Sequence, residues 1–147
     1  MQVSIPIQTI NSNNVYFVDK KRNTVIDGDF TKILYSTADF VMTGLFIYCP
    51  FISGIRHRPP PPGFSNNNQT QHQHYNMEII TRLCNIENDI LTNYCASYAH
   101  NKTPVFCLMN YLTTIPAKGM SATTIKISGV WETKTNVGIT VKSVPIV

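Results

Sequence analysis

Apolar and polar positions follow two different periods along this chain. From Val15 to Cys49 the apolar residues come in β-branched and aromatic runs, Val15 to Val18, Phe30 to Tyr35 and Phe40 to Cys49. Turn-forming residues from Asp19 to Asn23 and at Asp27 and Gly28 separate the first two runs, which predicts a hairpin. The third run, FVMTGLFIYC, is apolar on both faces, as a central strand requires, with Gly44 as the candidate bulge or bend. The period then changes. Ile79, Leu83, Ile86, Ile90 and Tyr94 recur at three- or four-residue spacing, Ile80 and Leu91 widen the stripe, and Glu78, Arg82, Glu87 and Asp89 face away. This spacing predicts an amphipathic helix. Asn101 to Pro104 end it, and Val105 to Leu112 suits either a short helix or a strand. Alternation returns from Thr124 to Trp131, with Ile125, Ile127 and Trp131 on one parity and Thr124, Lys126, Ser128 and Val130 on the other. A turn over Glu132 to Asn136 leads to Val137, Ile139 and Val141, which alternate with Gly138, Thr140 and Lys142. The C-terminal hairpin therefore carries a polar, basic face.

Residues 54–76 break both rhythms. Four consecutive prolines favour polyproline II, and the Asn, Gln and His residues that follow offer nothing to bury, so a flexible loop insertion is expected there. A single strong helix excludes an all-parallel α/β sheet. The order of elements fits a mainly β chain with one α-helix. In finer detail it fits a five-stranded OB-type Greek-key barrel with the helix between strands 3 and 4, occupying residues 1–147 as one domain.

Composition narrows the chemistry. The chain has 147 residues, is 43% hydrophobic and only 14% charged, and carries a net charge of +4, which permits a polyanionic partner without demanding one. No apolar run is long enough to span a bilayer and the N-terminus lacks a signal-peptide pattern, so no membrane association is expected. Cys49, Cys84, Cys95 and Cys107 show no CxxC spacing and read as reduced, small apolar residues. Catalysis needs a nucleophile with its base, or paired carboxylates, and no such set or phosphate loop is present; an enzyme and a cofactor are not expected. Asp27 and Asp29 around Gly28 fit a turn better than a calcium loop, and His57, His72 and His74 lack companion ligands, so no metal site is expected.

Binding a single strand without reading its sequence needs cations that follow phosphates and aromatic faces on which bases stack. Candidate cations are Lys20, Lys21 and Arg22 in the first hairpin, Lys32 in the following strand, Arg56 and Arg58 at the mouth of the loop, and Lys126, Lys134 and Lys142 in the last hairpin. Alternation puts Lys126 and Lys142 on one face of paired strands, with Glu132 as the sole acid of that region. Candidate stacking residues are Tyr35, Phe46, Tyr48 and Trp131, each of which could equally enter the core; Trp131 shares its parity with Ile125 and Ile127, and Phe46 and Tyr48 share theirs with Met42. Phe64 and Tyr75 are further stacking candidates within the loop.

Three segments, Phe30 to Ile47, Ile79 to Tyr94 and Ile125 to Lys142, together resemble the single-stranded DNA-binding proteins of large DNA viruses, which are similar to the OB-fold replication proteins of phages. The motif G-[IV]-W-E, a turn, then G-[IL]-[TS]-x-K appears as Gly129, Val130, Trp131, Glu132 and Gly138, Ile139, Thr140, Lys142. The helix motif L-x-x-I-E-x-x-I-L appears as Leu83, Ile86, Glu87, Ile90 and Leu91. The resemblance covers the larger part of the chain. It implies a non-catalytic protein that coats single-stranded DNA in viral replication, recombination or repair, as a homodimer in contact with viral replication proteins, inside the infected host cell. The phage proteins end in an acidic tail, whereas this sequence ends in Ser-Val-Pro-Ile-Val, so regulation by a tail is not expected. A small β-rich viral structural protein that assembles with copies of itself is the alternative.

Overall fold

The computed structural model describes residues 3–50, 67–114 and 123–144. In chain order these form β1 (Ile5–Pro6), β2 (Val15–Asn23), β3 (Gly28–Ser36), β4 (Val41–Thr43), β5 (Leu45–Cys49), α1 (Asn67–Tyr98), β6 (Thr103–Pro104), α2 (Leu108–Thr114), β7 (Thr123–Glu132) and β8 (Asn136–Val144). The chain is mainly β with one long helix.

All eight of these strands join one sheet, and β7 organises it. Along one edge β7 pairs antiparallel with β8; along the other it is shared, with β5 on Thr123 to Ile127 and β3 on Gly129 to Glu132. Such sharing is possible because β4 and β5 are a single extended run broken at Gly44, which takes a left-handed φ of 81° and donates its N–H to the Ile33 carbonyl. β4 pairs with β3 before that break and β5 with β7 after it. Short parallel pairings add β1 to β5 and β6 to β8. The expected barrel does not close: among the described residues β2 pairs with β3 alone, which leaves the sheet an open margin.

Two further irregularities decide which way side chains point. Ser128 is an extra residue in β7, since Ile127 and Gly129 pair with the adjacent Val141 and Thr140. Between Val18 and Lys21, β2 carries an extra residue of its own, with Asp19 at a φ of 53°. Each is a β-bulge, and past a bulge the alternation restarts on the other parity.

Ile33, Leu45, Ile47, Ile125, Ile127, Val130, Val137 and Ile139 cover one face of the sheet and are buried in a single cluster with the α1 stripe Ile79, Ile80, Leu83, Ile86, Ile90, Leu91 and Tyr94. The helix is longer than expected. It starts at Asn67, so the C-terminal part of the predicted 54–76 loop is helical, while 51–66 lie outside the described residues. Propagation onto an already packed helix costs little, and the prolines that would stop it lie upstream. Glu87, predicted to face away, is buried: its carboxylate accepts the backbone N–H groups of Cys107 and Leu108 at 2.9 and 3.2 Å and so caps α2, which settles the Val105 to Leu112 run as helical at its end.

Candidate nucleic-acid interface

Opposite the α1 side, the outward positions of five strands lie on one face, and no helix of the described residues packs on it. The register sets its composition row by row. Lys21, Phe30, Trp131 and Gly138 are successive cross-strand partners, as are Val18, Lys32, Gly129 and Thr140. Farther along, Phe46, Lys126 and Lys142 form a third row with Tyr48 and Thr124 beside it. Lys126 holds its ammonium 5.1 Å from the centroid of the Phe46 ring, a cation–π contact. None of the outward positions in these rows is a carboxylate, and Lys21, Lys32, Lys126 and Lys142 make no salt bridge among the described residues.

The parity of the aromatics differs from the sequence-based expectation. Past the Ser128 bulge, Trp131 points outward with Lys126 rather than inward with Ile125 and Ile127. Past Gly44, Phe46 and Tyr48 also point outward, while Met42, assigned to their face by simple alternation, packs against the core. Two glycines then shape the surface. A Cβ at Gly138 would lie 2.3 Å from Trp131 Cζ2, and one at Gly129 would lie 2.7 Å from Phe30 Cζ, so both rings lie across backbone that carries no side chain. The rings rest on the sheet and remain half-exposed on it.

Other expected site residues are engaged elsewhere. Tyr35 is only 2% exposed and accepts the Asn11 N–H at 3.0 Å with its hydroxyl oxygen, so it is a core residue and not a stacking surface. Lys20 is turned by the β2 bulge to the inner side, where its ammonium lies 2.9 Å from Glu132 and 3.7 Å from Asp29. Arg22 pairs with Asp27 at 3.2 Å on the surface. Lys134 is exposed in the β7–β8 turn. Arg56, Arg58, Phe64 and His57 lie outside the described residues, as do the side chains of His72, His74 and Tyr75. Phe30, not singled out in the sequence, belongs to the face; only its pairing with Trp131 reveals it.

Glu132 anchors the inner side. Its side chain is 3% exposed and receives Lys102 at 2.7 Å, Lys20 at 2.9 Å and the Tyr94 hydroxyl at 3.0 Å, and Tyr94 in turn meets the Thr31 hydroxyl at 3.1 Å. Burial by itself would raise this carboxyl, but the hydrogen bonds from Lys102, Lys20 and Tyr94 outweigh it and hold Glu132 below the usual carboxylate range. The same contact raises Lys20. Burial pushes the Cys49 thiol up to about 12 and Cys107 up to about 11, so both stay protonated near neutral pH. Among the described residues no three metal-capable side chains cluster, and no helix is long and apolar enough to cross a membrane.

Comparison of the chain with protein-family models, with curated proteins and with solved structures returns no match.

Proposed function

We propose that the outer face of the sheet binds single-stranded DNA without sequence readout and without catalysis. One observation carries the reading: Lys21, Lys32, Lys126 and Lys142, none of them salt-bridged among the described residues, share with Phe30, Phe46, Tyr48 and Trp131 a face on which no described helix packs, and their cross-strand rows hold no carboxylate. Lysines that lack protein counterions release bound solution ions when phosphates replace them, and half-exposed rings offer stacking surfaces that suit any base. The reading does not require a closed OB barrel; an open, twisted sheet face presents the same groups. Its viral setting, in replication, recombination or repair, and its homodimeric state rest on the resemblance of the Gly129 to Glu132 and Gly138 to Lys142 segments alone. Assembly of copies through the β2 margin has less support, because that edge bears a bulge and the cations Lys20, Lys21 and Arg22, features that oppose edge pairing.

Fluorescence anisotropy with labelled oligothymidylate and with duplex of equal length, each titrated with salt, tests the proposal. Preferential binding of the single strand is expected, with log K falling against log salt at a slope of about −3 for four neutralised phosphates. Equal binding of the two, or no binding, overturns it.

A further inference from the structure

At one end of the outer face the β2–β3 turn rises beside Trp131 and borders an open cleft of about 710 Å³, within the range of small-ligand sites. Its apolar lining is Val25 and Ile26 from the turn with Phe30 and Trp131 from the sheet, and Lys21 and Arg22 also border it. We infer that this cleft holds a single unpaired base, stacked on Trp131 and walled by the turn, with the adjoining phosphate held by Lys21 and Arg22. The inference rests on the proposed binding of a single strand and adds to it a defined place where one nucleotide is gripped more firmly than its neighbours.

Four features point to a base as the occupant. The indole lies across Gly138 and the Phe30 ring across Gly129, where any Cβ would collide with them, so the aromatic floor is set down on the backbone. Gly28 brings the turn close: a Cβ there would lie 1.8 Å from the Glu132 carbonyl oxygen, so only glycine lets the hairpin sit against the end of β7. Val25 is 88% exposed at the turn, an apolar residue beside the cleft that no described part of the fold covers. Finally, the occupant must combine a flat apolar body with a negative charge. Lys21 has no salt bridge among the described residues, and the exposed Arg22–Asp27 pair contributes little to folding, so its guanidinium can exchange that carboxylate for a phosphate. A nucleobase with its phosphate has this chemistry; an aliphatic or cationic ligand does not.

Trp131 is the chain's only tryptophan, so its emission reports this cleft directly. The test compares oligothymidylate with a fully abasic strand of equal length, which keeps the phosphates and lacks the bases, reading Trp131 fluorescence and anisotropy of the labelled strand together. The expected result is quenching by the oligothymidylate alone and affinity for the abasic strand weaker by tenfold or more. In Val25→Ser, a substitution at an exposed turn position with the melting temperature as a control for folding, quenching by oligothymidylate should fall and affinity should drop by several-fold. Binding without quenching, or an unaltered Val25→Ser variant, overturns the cleft while leaving the proposed function standing; equal affinity for the two strands overturns the cleft together with the stacking part of the proposed function. Absence of any binding overturns both.

Discussion

On the side of the sheet that α1 covers, Glu132 is surrounded by two ammonium groups and a phenol, all within 3.0 Å. On the other side of the same strands Lys126 and Lys142 stand directly opposite one another with no acid between them. The inner cluster satisfies every charge it buries, because an unpaired carboxylate there would be costly. The outer face does the reverse, placing like charges across a strand pair where a sheet selected for stability alone would alternate signs. The buried carboxylate on the inner side is therefore neutralised within the fold, whereas the outer lysines have no salt bridge among the described residues.

The largest expected effect comes from breaking the inner cluster. Glu132→Ala removes the shared partner of Lys20, Lys102 and the Tyr94 hydroxyl and should destabilise the protein by about 3 kcal/mol, measured by denaturant unfolding. Because Glu132 faces away from the outer lysines, the folded fraction of this variant should keep its affinity for the single strand; a parallel loss of affinity would show that the two faces are not separate in function.

Acid should reproduce part of that loss. Glu132 has a folded pKa below its unfolded value near 4.5, so its contribution is fully present above that value and disappears as pH falls through the lower, folded pKa. Stability measured through this window should decline in the native protein and decline less in Glu132→Gln; parallel curves would remove Glu132 as the source.

The smallest change in stability has the most telling sign. Lys142→Glu converts the repulsive Lys126–Lys142 pair into an attractive one and should raise stability by about 0.5 kcal/mol while weakening binding of the single strand. Opposite movement of the two quantities is what a face kept basic for a ligand requires. If stability and affinity fell together, Lys142 would belong to the fold.

How far these features could be read from the sequence depended on whether they were local. The stripe Ile79, Leu83, Ile86, Ile90 and Tyr94 is legible because helical periodicity is a property of one segment, and all five residues are buried as the spacing predicts. Lys126 and Lys142 were legible as neighbours because a short turn fixes the β7–β8 register around them. Trp131 was misread by simple alternation because the Ser128 bulge arises from the register with Val141 and Thr140, which lies in a partner strand and not in β7 itself. The break at Gly44 separated Met42 from Phe46 and Tyr48 for a similar reason, since β4 and β5 follow different partners. Lys20 carries no mark in the sequence that distinguishes it from Lys21, yet the bulge at Asp19 sends the two to opposite faces.

The sequence by itself determined that this is a mainly β chain with one amphipathic helix and that Lys126 and Lys142 share one face of its last hairpin, whereas Lys20, Lys21 and Arg22, expected in a turn, proved to continue strand β2. Only the tertiary structure decided which lysines neutralise a buried carboxylate and which remain available, and which aromatics are core and which are surface. The reason is physical: a strand's side chains alternate with a period of two, so a one-residue slip, imposed by pairing with a distant strand, exchanges the two faces without altering the pattern on either side of it.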